Sequence, residues 1–154
     1  MESKTLAMHT RTLDSVKPSS SLFDAVARGS FEITATRQPP YDTVDVLVLA
    51  RTSFIKTFRG DLQANSAVEM LSAGTPTQGS AAYVALERVS GWLGGRQGNF
   101  VLTHLGVMRR GEPSLQLAVV PDSGTAGLTG LVGQMAIEIR EGAHFYTFEY
   151  SFAP

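Results

Sequence analysis

The sequence predicts an all-β fold, a single closed or nearly closed antiparallel barrel of about eight strands. From Gly79 to Gly133 strand-like alternation of apolar and polar residues is interrupted by glycine-rich turns, with almost no helical period. Short strands separated by turns every 8–12 residues or so point to a sandwich or a barrel, and full closure would remove exposed sheet edges. Charged residues make up only 18% of the chain, which leaves room for a largely uncharged inner face.

The elements follow in order. Residues 1–22, rich in Ser, Thr and Lys and containing Lys17-Pro18-Ser19-Ser20, read as an extended or flexible arm; residues 23–154 read as the barrel domain. Gly29 to Arg37 alternates Phe31, Ile33, Ala35 against Glu32, Thr34, Thr36, a half-buried strand ended by Pro39-Pro40. Thr43 to Ala50 is more continuously apolar, as expected of a strand covered on both faces. Thr52 to Arg59 follows, then a turn at Gly60-Asp61, a strand from Ala64 to Ser72 and a loop to Gly79. Ala81 to Trp92 and Phe100 to Met108 form a hairpin around Leu93 to Gly98. Leu115 to Val120, Leu131 to Arg140 and Ala143 to Ala153 complete the set.

Composition removes several function classes. The chain has no cysteine, so disulfides, thiolate metal sites and a cysteine nucleophile are excluded. Its net charge is −1 with scattered Arg and Lys, which argues against a nucleic-acid partner. The longest apolar stretch, Val44 to Ala50, contains Asp45 and is far too short to span a bilayer, so no membrane partner is expected. The N-terminus lacks a basic region followed by an apolar core, making a cytoplasmic location the default. There are three histidines, one of them His9 in the arm, and no metal or cofactor is expected. Gly124, Gly127, Gly130 and Gly133 recur every third residue, but the following segment alternates like a strand. A dinucleotide loop would need a helix there, so a tight, twisted connection is the better reading.

That connection, Ser123-Gly124-Thr125-Ala126-Gly127-Leu128-Thr129-Gly130-Leu131-Val132-Gly133, resembles the glycine signature of the allene oxide cyclase-like barrels. The core as a whole resembles a bacterial family known only as domain of unknown function 3224. The matching pieces run in order: Phe58 to Leu62, Tyr83 to Arg88, Gly95 to Leu102 with His104, and His144-Phe145-Tyr146. This chain departs from the family pattern at Gly127, where an acidic residue is usual, at Ala64 in place of glycine and at Arg59 in place of histidine. The resemblance implies an allene oxide cyclase-like, lipocalin-like barrel and a homo-oligomer.

Candidate site residues come from the faces of the strands. Pairing Trp92 with Asn99 would set Glu87 opposite His104, with Tyr83 on the same face, so that carboxylate, imidazole and phenol converge among Phe100, Leu102 and Val89. Desolvation there would raise the Glu87 pKa and make it a general acid or base. Glu87 could equally pair with an arginine such as Arg88 or Arg51. On the last strand His144, Tyr146, Phe148, Tyr150 and Phe152 share one face, either as core filler or as a ligand wall with His144 and Tyr146 as polar handles. Glu69 is a weaker ligand-binding candidate. Lys56 and Arg51 could meet an acidic ligand group, although surface solvation is the usual state of a lone lysine.

Two functional classes follow. One is a cofactor-independent cyclase or isomerase, implied by the resemblance, in which an apolar lumen folds a reactive substrate and Glu87, Tyr83 or His104 polarises one oxygen. The other is a non-catalytic carrier or sensor of an apolar small molecule; a filled structural barrel is a third possibility.

Overall fold

The structure is a computed structural model that describes residues 21–154; the expected arm, apart from its last two residues, lies outside them. The eight strands are β1 (Ala25–Arg37), β2 (Val48–Gly60), β3 (Leu62–Gly74), β4 (Ala81–Leu93), β5 (Arg96–Arg109), β6 (Glu112–Val119), β7 (Leu131–Arg140) and β8 (Ala143–Phe152). Each pairs antiparallel with the next, and β1 pairs with β8, so the sheet closes into the expected barrel.

Alternation decides which residues enter the lumen. Along β3 every second residue from Leu62 to Val68 is buried, and along β4 the buried positions are Ala85, Glu87, Val89 and Leu93. One half of the lumen is filled solid. Phe100, Phe148, Leu62, Leu93, Leu102 and Leu131 have essentially no exposed surface, and Phe100 stacks on Phe148 with ring centroids 5.7 Å apart. The glycine-rich connection between β6 and β7 covers this end. Its single 3-10 turn, Ala126–Leu128, inserts fully buried Leu128 against Gly98, confirming a structural connection.

Two expectations need correction. Residues 43–47 form no strand: Val44, Val46 and Leu47 are exposed, and Asp45 and Val46 turn the backbone through positive φ values of 64° and 114°. The apolar run belongs to a loop, and β2 is one long strand starting at Val48. The β4–β5 hairpin is tighter than expected. Gly94 and Gly95, with φ of 57° and 77°, make a two-residue turn, the geometry whose twist matches flanking strands. Trp92 therefore pairs with Gln97 and Glu87 with Leu102, while His104 pairs with Ala85. The displacement is by an even number of residues, so every side chain keeps its predicted face.

Candidate functional site

The half of the lumen opposite the packed end is an apolar cup of about 280 Å³. Its wall includes Ile33, Phe54, Val68, Met70, Leu115 and Ile139, and Tyr83, Lys56, His104 and His144 reach it as well. These positions lie where strands with in-facing apolar residues run on past the filled core. The β3–β4, β5–β6 and β7–β8 turns and the 38–47 loop surround the mouth.

At the boundary between cup and core lies a buried polar cluster. Glu87 is 0% exposed and Lys56 only 4%. The Glu87 Oε2 atom is 3.2 Å from Lys56 Nζ and 2.7 Å from His104 Nε2, and Oε1 accepts a 2.6 Å hydrogen bond from Ser66 Oγ. Four strands contribute one residue each: Lys56 from β2, Ser66 from β3, Glu87 from β4 and His104 from β5. The Lys56 ammonium also lies 4.8 Å from the centroid of Phe31 and 5.8 Å from that of Phe58, a cation–π setting that suits a cation withdrawn from water.

Such a cluster survives burial because every charge has a partner. Taking a carboxylate out of water costs several kcal/mol, roughly, unless hydrogen bonds and an opposite charge offset it. Burial does push the Glu87 carboxyl up. The His104 hydrogen bond, the Lys56 charge and the Ser66 hydroxyl outweigh it and hold the group below the usual glutamate range. The expected upward shift is thus reversed, because desolvation acts against a ring of donors rather than alone.

Tyr83 extends this cluster towards the mouth. Burial, and secondarily the negative charge of Glu87, raise its phenol above the ordinary tyrosine value, so it stays a donor. Its ring occupies the space that a side chain at Gly106 would need on the paired strand. His144 lines the cup from β8 and packs on Phe31 with centroids 5.1 Å apart.

The other sequence candidates fall elsewhere. Phe100, Leu102 and Phe148 are core, and Tyr150 is buried beside them, stacked on Phe148. Tyr146 is a structural pin: its hydroxyl accepts from Leu62 N at 2.9 Å and donates to Arg59 O at 2.9 Å, joining β8 to the β2–β3 turn. Glu69 points outward, bonded to Arg51 at 3.0 Å and to Ser53, and lines an open outer groove of about 560 Å³ with Leu71, Val84 and Leu86. Glu87 pairs with neither Arg88 nor Arg51; its cation is Lys56. The sequence offers Lys56 only as a contact for an acidic ligand group, with surface solvation its usual state, and does not single out Ser66. The signal was present: both occupy the in-facing register, Lys56 between Phe54 and Phe58, Ser66 between Ala64 and Val68.

Among the described residues no group of three or more His, Asp or Glu side chains could hold a metal ion. No helix among them is long and apolar enough to cross a membrane.

Residues 27–150 match the family model described as protein of unknown function (DUF3224). A crystal structure at 1.84 Å of a protein with unknown function from that family, from Shewanella oneidensis MR-1, is similar at a TM-score of 0.80 and 49% identity. The likeness covers 84% of this chain and 98% of that one. No curated protein matches the chain.

Proposed function

We propose that this chain, which belongs to the DUF3224 family, binds an apolar small molecule in the open half of its barrel and acts on it as a cofactor-independent isomerase or cyclase. The observation that carries this reading is the buried Lys56–Glu87–His104 cluster at the floor of an otherwise apolar cup. A barrel built only to be filled gains little from an ion pair in its lumen, since apolar residues of similar volume would stabilise it as well or better. The cluster sits where a bound molecule would end.

Glu87 acts through His104 rather than on the ligand. Its oxygens are engaged by Lys56, Ser66 and His104, and it has no exposed surface. A carboxylate held against one ring nitrogen fixes the orientation and tautomer of the imidazole, leaving the other nitrogen for proton transfer. The apolar wall holds the substrate in one conformer, and orientation supplies much of the rate. Localisation in the cytoplasm and assembly into a homo-oligomer belong to the same proposal.

The test is native mass spectrometry with a panel of lipophilic metabolites, followed by chromatography of released ligand. Rearrangement without mass change, lost in Glu87→Gln while binding is kept, is the expected result. Binding with no rearrangement by the natural protein would make it a carrier. Failure of every apolar probe to bind would leave a structural barrel.

A further inference from the structure

The geometry points to a more definite ligand class: we infer that the cup takes a molecule whose buried end is a carbonyl oxygen, held by Lys56, with His104 accepting a proton from the adjacent carbon. This rests on the cup being a binding site.

The argument is an inventory of donors and acceptors at the floor. Glu87 is the only anion in the cluster, and its oxygens already accept from Ser66, Lys56 and His104. An ammonium has three N–H donors, and that of Lys56 makes one hydrogen bond among the described residues. Its other donors are left to the aromatic rings and the cup. The Tyr83 hydroxyl has no hydrogen-bond partner among the described residues and also lines the cup. The floor therefore offers donors to a ligand, and the end that meets them must be an acceptor. His104, bonded to Glu87 through Nε2, has no described partner at Nδ1.

Charge then selects the kind of acceptor. The Lys56 ammonium and the Glu87 carboxylate cancel. A carboxylate ligand would add an unbalanced negative charge to a buried site, which is costly. A neutral ketone or aldehyde adds none. The volume of about 280 Å³ lies at the small end of ligand pockets, so the body is the size of one or two fused rings.

The same arrangement fits one reaction. The C–H bond next to the carbonyl breaks, its electron pair becomes the carbon–carbon double bond of an enolate, and the carbonyl π pair moves to oxygen. The proton goes to His104 Nδ1, while the other N–H of the ring stays on Glu87. The new oxyanion faces the Lys56 ammonium, and oxyanion and imidazolium appear together, leaving the net charge unchanged. Return of the proton to a different carbon of a conjugated substrate shifts the double bond and restores His104. No oxidant or second substrate is required.

Three probes of similar size separate the possibilities: naphthalene, 2-naphthol and 2-naphthoate. We expect 2-naphthol to bind at least about tenfold more tightly than naphthalene and to show the absorbance of its ionised form when bound, with 2-naphthoate gaining nothing. The double variant Lys56→Met, Glu87→Gln removes both charges together and so leaves none unpaired. It should keep naphthalene binding and lose the tenfold gain. Equal binding of naphthol and naphthalene, a preference for naphthoate, or a gain that persists in the double variant would overturn the assignment. If naphthalene and 2-naphthol both fail to bind, the cup itself is not a ligand site. For the proton-transfer step, the protein should accelerate deuterium exchange next to the carbonyl of 2-tetralone, read by NMR, and His104→Gln should abolish the effect. Absence of acceleration by the natural protein would overturn the role of His104.

Discussion

Replacing Glu87 by Gln tests the electrostatics of the site directly. The substitution keeps shape and volume, leaves an acceptor for Ser66, and removes the charge that faces Lys56 at 3.2 Å and His104 at 2.7 Å. With Lys56 only 4% exposed, the ammonium is left with no anion and little water. Breaking a buried pair in this way costs about 3–5 kcal/mol. For a domain of this size each kcal/mol moves the midpoint by roughly 3–4 °C, so thermal unfolding at pH 7 should fall by about 9–20 °C. The pH dependence carries a sign. Glu87 is held below the usual glutamate range in the folded protein, so the unfolded chain binds the proton more readily. Its contribution is complete above the unfolded pKa and is lost as pH falls through the lower folded value. The gap between natural protein and variant, followed by circular dichroism, should therefore be wide at neutral pH and shrink below about pH 4. A variant within 2 °C or so of the natural protein at pH 7, or a gap that stays constant into acid, would refute the account.

Other substitutions probe the scaffold. Tyr146→Phe strips the acceptor from the buried Leu62 N–H and should cost about 1–3 kcal/mol in urea unfolding, with no effect on cup ligands; a neutral result would mean that water replaces the hydroxyl. Gly106→Ala drives a methyl group into the Tyr83 ring, so it should destabilise by about 1–3 kcal/mol and also weaken naphthol binding. Unchanged affinity there would show that Tyr83 does not contact the ligand. Leu128→Ala empties the plug at the packed end and should cost about 2–5 kcal/mol while leaving the cup intact; a shift in ligand affinity would show that the two halves of the lumen are coupled.

Much of the barrel could be read from local pattern, because strand alternation and turn glycines are properties of neighbouring residues. The face assignment of Tyr83, Glu87 and His104 survived a misplaced hairpin register, since two residues restore the same side of a strand. What could not be read was set by partners distant in sequence. The pKa direction of Glu87 depends on His104, Lys56 and Ser66, which lie 17, 31 and 21 residues away on other strands. Lys56 itself conflicts with the general rule that lysines are solvated, and only its position between two in-facing phenylalanines argued otherwise. The 43–47 segment failed in the opposite direction: its composition is that of a strand, but its backbone turns at Asp45 and Val46. The terminal aromatic face was ambiguous until closure was known, because only the pairing of β8 with β1 and β7 determines which rings meet the core and which the cup.

The barrel wall is not equally knit around its circumference. β4 and β5 pair from Ala81↔Met108 to Leu93↔Arg96, whereas β6 and β7 share only Leu117↔Met135 and Ala118↔Gln134. Above those two rungs the strands diverge, and the diverging stretches carry Leu115, Ile137 and Ile139, all of which line the cup. The wall of the open half is thus least bonded between β6 and β7. Splaying it breaks few main-chain bonds, so local opening costs least there. Under the proposed binding function, this is the side by which a guest would enter, between two staves, leaving the packed base and the charged floor undisturbed. Amide exchange at 112–116 and 137–140 would report how often the staves part, and with it the pace at which the cup can be filled and emptied.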